Sequence, residues 1–288
     1  MFKELTLSIV IPVYNEENHV KACLQAIAAQ TAAPDEVILV DNNSTDRTLA
    51  IARQFKFVKI IHEPVQGLIA ARNAGFNQAR SDLVARIDAD AAIAPDWVER
   101  VKKDFLNPQV AAITGPAMTR TVRSDWLPRS RLWSVIYFWW TEAEFGIPIL
   151  WGANMVLRRS AWLKVRGDVC LDDMFVHEDQ DLSFLLAGAN KKVMRDNRLL
   201  MATSDKSYHE WVKFSEYVCR RWQTRRYHTA RQTVVNSPLR LGLMRRLRRL
   251  TLIILILPIG IIFLGASILP AILDFVLPAA PQPANLPD

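Results

Sequence analysis

Two hydrophobic periods alternate along the first ~110 residues, the pattern of successive βα units. Leu7–Val13 (LSIVIPV) is a near-continuous apolar run, as expected of a strand buried on both faces. Glu16–Gln30 follows with Val20, Cys23, Leu24 and Ile27 at helical spacing. Val37–Val40 predicts a second buried strand, ending at Asp41. Asn43 or Ser44 is placed to cap a helix running through Gln54, with Asp46 in its first turn. Val58–Ile61 predicts a third strand, Leu68–Ala79 a helix, and Leu83–Ile87 a fourth strand ending at Asp88. Pro95 suits the first turn of a helix whose apolar side holds Val98, Val101 and Phe105, and Val110–Thr114 predicts a fifth strand.

The second half is less regular. Trp133, Ile136, Tyr137 and Trp140 recur at i, i+3, i+4 and i+7. Such a stripe fits a core-facing helix, or a surface resting at a membrane interface. Trp151–Leu157 reads as a strand, Glu178–Ala187 as a helix closed by Gly188, and Arg220–Arg231 as a basic helix. No internal repeat is visible, and the only low-complexity stretch is the Pro-rich tail, PAAPQPANLPD.

Composition narrows the class. Half of the 288 residues are hydrophobic, enough for one large domain or two small ones with a real core. A disordered chain and a collagen-like fibre are excluded. The net charge of +7 is local: ten arginines, no lysine and no acid lie between Arg220 and Arg249, and without them the chain is negative. Cys23, Cys170 and Cys219 are far apart, with no CxxC, which argues against zinc ribbons and disulfide scaffolds. The first residues carry Lys3 and Glu4 ahead of the strand-like run, so no secretory signal is expected.

From Leu250 to Leu273 no residue is charged. About 20 apolar residues suffice to cross a hydrocarbon core, so this stretch is expected to span or re-enter a membrane, with Pro258 and Pro270 as kinks. Arg245, Arg246, Arg248 and Arg249 precede it, which places the N-terminal part in the cytoplasm by the positive-inside rule. The expected organisation is a globular domain over 1–235, a basic juxtamembrane segment over 236–249, the apolar segment over 250–273 and a tail over 274–288.

In an open parallel sheet, ligands bind outside the carboxyl ends of the strands. Here those ends are polar: Pro12-Val13-Tyr14-Asn15-Glu16, then Asp41-Asn42-Asn43-Ser44, then Asp88-Ala89-Asp90. No GxGxxG follows the first strand and no GxxxxGK[ST] occurs, which disfavours dinucleotide oxidoreductases and P-loop NTPases. Tyr14 or a carbonyl near Pro12 can meet a nucleobase, and Asp41 can accept from a base imide or a ribose. Asp88 and Asp90 can offer hard oxygen ligands to one divalent cation bridging two phosphates. Arg72 can counter the remaining phosphate charge. The cation would act as a Lewis acid on the departure of a nucleoside diphosphate.

With these residues in view, the chain resembles the family 2 glycosyltransferases, over roughly residues 5–230. The motifs are IVIPVYNEE (Ile9–Glu17), VDNNSTDRT (Val40–Thr48), GLIAARNAG (Gly67–Gly75), RIDADA (Arg86–Ala91), WGANMVLRR (Trp151–Arg159) and HEDQDL (His177–Leu182). The resemblance implies an α/β fold of the GT-A type, a Rossmann-like mixed sheet flanked by helices, followed here by the basic helical segment and a C-terminal transmembrane helix. It implies sugar transfer from a nucleotide-diphosphate donor with inversion, using Mn²⁺ or Mg²⁺. Pro12, Tyr14, Glu16, Asp41, Arg72 and Asp88 would line the nucleotide-sugar pocket, and Asp90, with Asp88, would hold the metal. Trp151, Gly152 and Asn154 would stand on the acceptor side. Of the acidic pair Glu178-Asp179, the base would be Asp179, with Asp181 the next alternative. His209 would be a third metal ligand, or a half-exposed loop histidine. His177 would orient Asp179 or contact the acceptor.

Two departures bear on this reading. Many relatives carry a further acid after the metal aspartate, where Ala91 stands here. Processive synthases carry Gln-x-x-Arg-Trp; here Arg221-Trp222 follows Val218, and a single apolar segment replaces a multi-helix channel, which points to single addition. The expected partners are a nucleotide-sugar donor, a lipid-linked or saccharide acceptor and the membrane, with no nucleic acid. A sugar-nucleotide pyrophosphorylase would want a Gly-rich basic loop after the first strand. A transferase-derived scaffold would have lost Asp88, Asp90 or Asp179.

Overall fold

The computed structural model describes residues 4–119, 128–203 and 211–230, all within the unit Met1–Val235. The strands are β1 (Leu7–Val13), β2 (Glu36–Asp41), β3 (Val58–His62), β4 (Leu83–Ile87), β5 (Ala92–Ile93), β6 (Val110–Thr114), β7 (Ala117–Thr119), β8 (Asn154–Arg158), β9 (Lys192–Arg195) and β10 (Met201–Thr203). The helices are α1 (Val20–Ala28), α2 (Thr48–Ala52), α3 (Leu68–Gln78), α4 (Trp97–Asp104), α5 (Pro128–Phe145), α6 (Arg159–Val165), α7 (Glu178–Gly188) and α8 (Trp211–Ala230). A seven-stranded sheet runs β3-β2-β1-β4-β8-β6-β9, and β5, β10 and β7 form a small second sheet. In the large sheet β8 alone is antiparallel to its neighbours, β4 and β6. This is the mixed, helix-flanked sheet that the sequence resemblance implies.

Both faces of the sheet are covered. Ile9 and Ile11 of β1 point to a core shared with α1 and α4, where Leu24, Ile27, Trp97 and Phe105 are buried. Val10, between them, joins Val40, Phe76, Trp162, Leu182 and Leu186 on the other side. Successive strand residues face opposite ways, so a strand covered twice has to be apolar throughout. Gly75 sits where α3 presses on the sheet; a Cβ there would collide with Val10 and Val40.

Element ends depart from the sequence reading. Helix α1 starts at Val20, because Asn15 turns at φ 54° and the Glu16 carbonyl closes a turn onto the His19 and Val20 amides. Neither Asn43 nor Ser44 caps α2, which is short and starts at Thr48. Asn43 instead takes φ 67°, and Asp46 Oδ1 accepts from the Thr48 amide at 2.9 Å. Strand β8 begins at Asn154, since residues 151–153 form a turn closed by the Asn154 amide on the Trp151 carbonyl. Among the described side chains of α5, Phe138, Thr141 and Phe145 are buried, Tyr137 and Trp140 are half-buried and Ile136 is exposed, while Trp133 of the predicted stripe lies outside the described side chains. Among the described residues no helix is long and apolar enough to cross a membrane. The segments 236–249, 250–273 and 274–288 lie outside the described residues, as does His209.

Candidate active site

The antiparallel β8 brings its starting end to the carboxyl end of β4: Ile87 is in register with Asn154, so the Trp151–Asn154 turn stands beside Asp88. Helix α7 begins next to that turn with Glu178, Asp179 and Asp181 in its first turn, where the helix dipole favours negative charge. Ser183 fixes the junction, donating to the Asp179 carbonyl at 2.6 Å and accepting from the Leu150 amide at 2.9 Å. Asp179 Oδ2 accepts from the Gly152 amide at 3.0 Å, and its Oδ1 from the Gln180 amide at 2.7 Å. A Cβ at Gly152 would strike both Glu178 Oε1 and Arg86 Nη1, so only glycine lets this turn approach so closely.

The adjacent acids of α7 are held in opposite states. Burial alone would raise the Glu178 pKa, but Arg86 and Arg72 on either side outweigh it and hold the carboxyl below its usual range. Asp179 is pushed up to about 7, by burial first and then by the Glu178 charge, against the amides of Gly152 and Gln180 and the charge of Arg86. Asp179 is only partly buried. A carboxyl with a pKa near neutrality and an open side suits proton transfer.

The remaining predicted residues lie at the tips of β1, β2 and β4 and on the segments just beyond them. Pro12 is a buried β1 residue paired with Val40, and Tyr14 just beyond it is 52% exposed. Glu16 Oε2 lies 3.2 Å from His19 Nδ1. Asp41 is buried: Oδ1 accepts from the Ser44 amide at 3.1 Å, and Oδ2 lies 3.3 Å from His62 Nδ1. Asp88 is partly exposed and meets Arg86 Nη2 at 2.5 Å. Its pKa is raised by burial and by the neighbouring Asp90, against the pull of Arg86. Cys23 Sγ lies 3.6 Å from the Asp88 carbonyl, and burial with the charges of Asp90, Asp88 and Glu16 keeps it a protonated thiol.

Among the described residues no group of three or more His, Cys, Asp or Glu is arranged to hold a metal. Two hard carboxylates whose charges repel each other still fit Mg²⁺ or Mn²⁺. Such ions are commonly held by one or two carboxylates, with substrate phosphates and water completing the shell.

Several predicted residues have other placements. Arg72 is fully buried, and its Nη1 donates to Glu178 Oε2 at 2.7 Å and to the Glu178 carbonyl at 2.9 Å, so it braces α7 instead of facing a phosphate. Glu178 has both oxygens engaged by arginines and is not available as a base. Asn154 is fully buried: its Oδ1 accepts from Trp97 Nε1 at 3.0 Å and its Nδ2 donates to the Leu199 carbonyl at 2.8 Å. Trp151 packs against Tyr137 and Phe138 of α5, with its amide on Thr114 Oγ1. Asp181 is sealed in, 2.8 Å from His228 Nε2, which removes it as an alternative base. His177 precedes α7, its amide donating to Thr224 Oγ1 at 2.9 Å.

Three residues with no assigned role turn out to support the site. Asp173 Oδ1 accepts from the Ile69 amide at 2.9 Å, capping α3 from a distant loop, where Gly67 at φ 145° leaves room for the carboxylate. His228 and Thr224 of α8 hold α7. Nothing local in the sequence marks these contacts, which join positions far apart along the chain. Arg86, inside the quoted RIDADA motif, was open to discovery: a charged residue in an apolar strand needs a buried partner.

The family model described as Glycosyl transferase family 2 matches residues 8–165, and the chain belongs to that family. Glycosyltransferase AglE of Haloferax volcanii is 40% identical over 101 residues, 33% of this chain and 33% of that protein. Putative glycosyltransferase EpsH of Bacillus subtilis is 36% identical over 99 residues, 33% of this chain and 29% of that one. The matches thus span about a third of these relatives' length. Among solved structures, mannosyltransferase PcManGT from Pyrobaculum calidifontis, in complex with GDP-Man and Mn2+, has a TM-score of 0.59 at 20% identity over 86% of this chain and 81% of that one. S. aureus TarS 1-349 in complex with UDP has a TM-score of 0.60 at 14% identity, over 94% of this chain and 78% of that one. Both likenesses concern the fold, which is that of a GT-A enzyme.

Proposed function

We propose that this enzyme is an inverting transferase that moves one sugar from a nucleotide-diphosphate donor to a hydroxyl of a lipid-linked or saccharide acceptor, at the cytoplasmic face of a membrane. The observation that carries the chemistry is Asp179: tethered to the Gly152 amide at 3.0 Å, beside the end of β4, and with a pKa pushed up to about 7. Asp179 takes the acceptor proton as the acceptor oxygen bonds to the anomeric carbon. On the opposite face the bond from that carbon to the diphosphate oxygen breaks, and its electron pair leaves with the nucleoside diphosphate. That geometry inverts the centre. Asp88 and Asp90 would hold a divalent cation, which supplies neutralisation of the leaving diphosphate. Tyr14 and Asp41 would contact the nucleoside. The bound nucleotides named for PcManGT and TarS support a nucleotide-sugar donor.

The uncharged run Leu250–Leu273 and the arginines before it support the membrane part of this reading. The testing experiment incubates the purified full chain with Mn²⁺ or Mg²⁺, a panel of nucleotide sugars and membrane lipid extract or oligosaccharides, and measures released nucleoside diphosphate. Acceptor-dependent release from one donor class, with a product of inverted anomeric configuration, is expected. A product of retained configuration would overturn the mechanism.

A further inference from the structure

Arg86 stands between Asp88, just beyond β4, and Glu178, at the start of α7. It stands on β4, two residues before Asp88, and its side chain is only 3% exposed. Nη2 contacts Asp88 Oδ1 at 2.5 Å, and Nη1 contacts Glu178 Oε1. Nε is buried without a hydrogen-bond partner, so the two carboxylates alone anchor the guanidinium. Glu178 is in turn clamped by Arg72 through both its side chain and its carbonyl. Asp179 follows it directly on α7, and the Gly152 amide that tethers Asp179 belongs to the turn packed against Arg86 Nη1.

We propose that Arg86 is a positioning residue that couples the donor end of the site to the base, holding Asp88 with one guanidinium nitrogen and Glu178 with the other. The inference rests on the reading of Asp179 as base. A single planar group spans both carboxylates, so displacing either one shifts the constraint on the other. Lysine keeps the charge but is a point donor on a flexible stem, and cannot serve both partners with the same geometry. Arg86 also competes with any cation for Asp88. Its loss therefore frees Asp88 for cations while loosening the base, and these effects have opposite signs.

The test uses the full chain and its Arg86→Gln, Arg86→Lys and Asp179→Asn variants. Mn²⁺ alone is titrated by calorimetry, and the pH dependence of kcat is measured with the active donor. Arg86→Gln should bind Mn²⁺ more tightly than wild type, and the acid limb of its kcat profile should move up by about one pH unit, since a cation near Asp179 is gone. Arg86→Lys should keep the acid limb in place but lower the plateau kcat about tenfold, as expected of a misplaced base. An unchanged Mn²⁺ affinity together with an unmoved acid limb in Arg86→Gln overturns the coupling. If Arg86→Gln does not fold, an Arg86→Lys plateau within twofold of wild type overturns it. Asp179→Asn at the wild-type rate defeats the base assignment itself. Loss of rate in Asp179→Asn with no effect in the Arg86 variants defeats only the coupling.

Discussion

At the scale of single residues, the site depends on keeping two neighbouring carboxyls in different states. Glu178 has two arginines and stays charged, while Asp179 has two amides and a repelling neighbour. Because Asp179 acts as a base only when ionised, kcat should fall as the pH drops below about 7, following a single ionisation, in a pH–rate profile at saturating donor. Asp179→Asn should lower kcat by about 10²–10⁴ at neutral pH while nucleotide binding persists. Glu178→Gln should act differently: it takes the counter-charge from buried Arg72 and leaves buried Arg86 with Asp88 as its remaining carboxylate, a loss of about 3–5 kcal/mol that thermal melting would register as a large fall in Tm. The sequence motif picked out the acidic pair itself. It did not reveal that Arg72 belongs to Glu178, because a position on α3 says where a side chain starts and nothing about which buried charge it must neutralise.

At the scale of elements, the hydrophobic periods of β1, β2, β4 and β6 were plain because strands covered on both faces have no polar option. Their ends were harder. Asn15 and Asn43 take positive φ and convert expected helix starts into turns, a choice made by Thr48 and Asp46 across the β1–β2 edge. Short edge pieces such as β5, β7 and β10 carry too few residues for any period to register. Helix α4 ends on Asp104, where the dipole disfavours an anion. Its pKa is pushed up to about 6 by burial and by the facing Asp196 carboxylate. The folded chain thus holds that proton at pH values where the unfolded chain has released it, and stability contributed by the neutral form is lost as pH rises toward 6 and above. Asp104→Asn should therefore raise Tm more at pH 7.5 than at pH 5, in paired thermal melts. Helix α8 braces α7 through His228, stacked on Phe184 with ring centroids 4.8 Å apart and bonded to Asp181. His228→Ala opens a cavity and leaves Asp181 short of a partner, a cost of about 2–4 kcal/mol measurable by denaturant unfolding.

At the scale of the whole molecule, the family match ends at residue 165, yet Asp179, the proposed base, and the helices α7 and α8 come later. On the proposed reading, the donor end lies in the part matched by the family model and the base in the part beyond it. The chain then continues past α8 into the arginine cluster and the uncharged run Leu250–Leu273. Two forces would act there. Each apolar residue near the centre of a membrane segment favours insertion by several tenths of a kcal/mol, summing over the run. Each arginine near anionic lipid adds about 1 kcal/mol, and salt screens only this second force. The full chain should therefore stay with sedimented membranes in 1 M salt, where a Debye length of roughly 3 Å leaves little electrostatic attraction. A chain ending near Asn236 should be released, still bind nucleotide, since all its donor-side residues lie before that point, and transfer poorly to a lipid-borne acceptor. Full-length protein washed from membranes by salt alone would leave the arginine cluster as the main membrane contact and exclude an integral anchor.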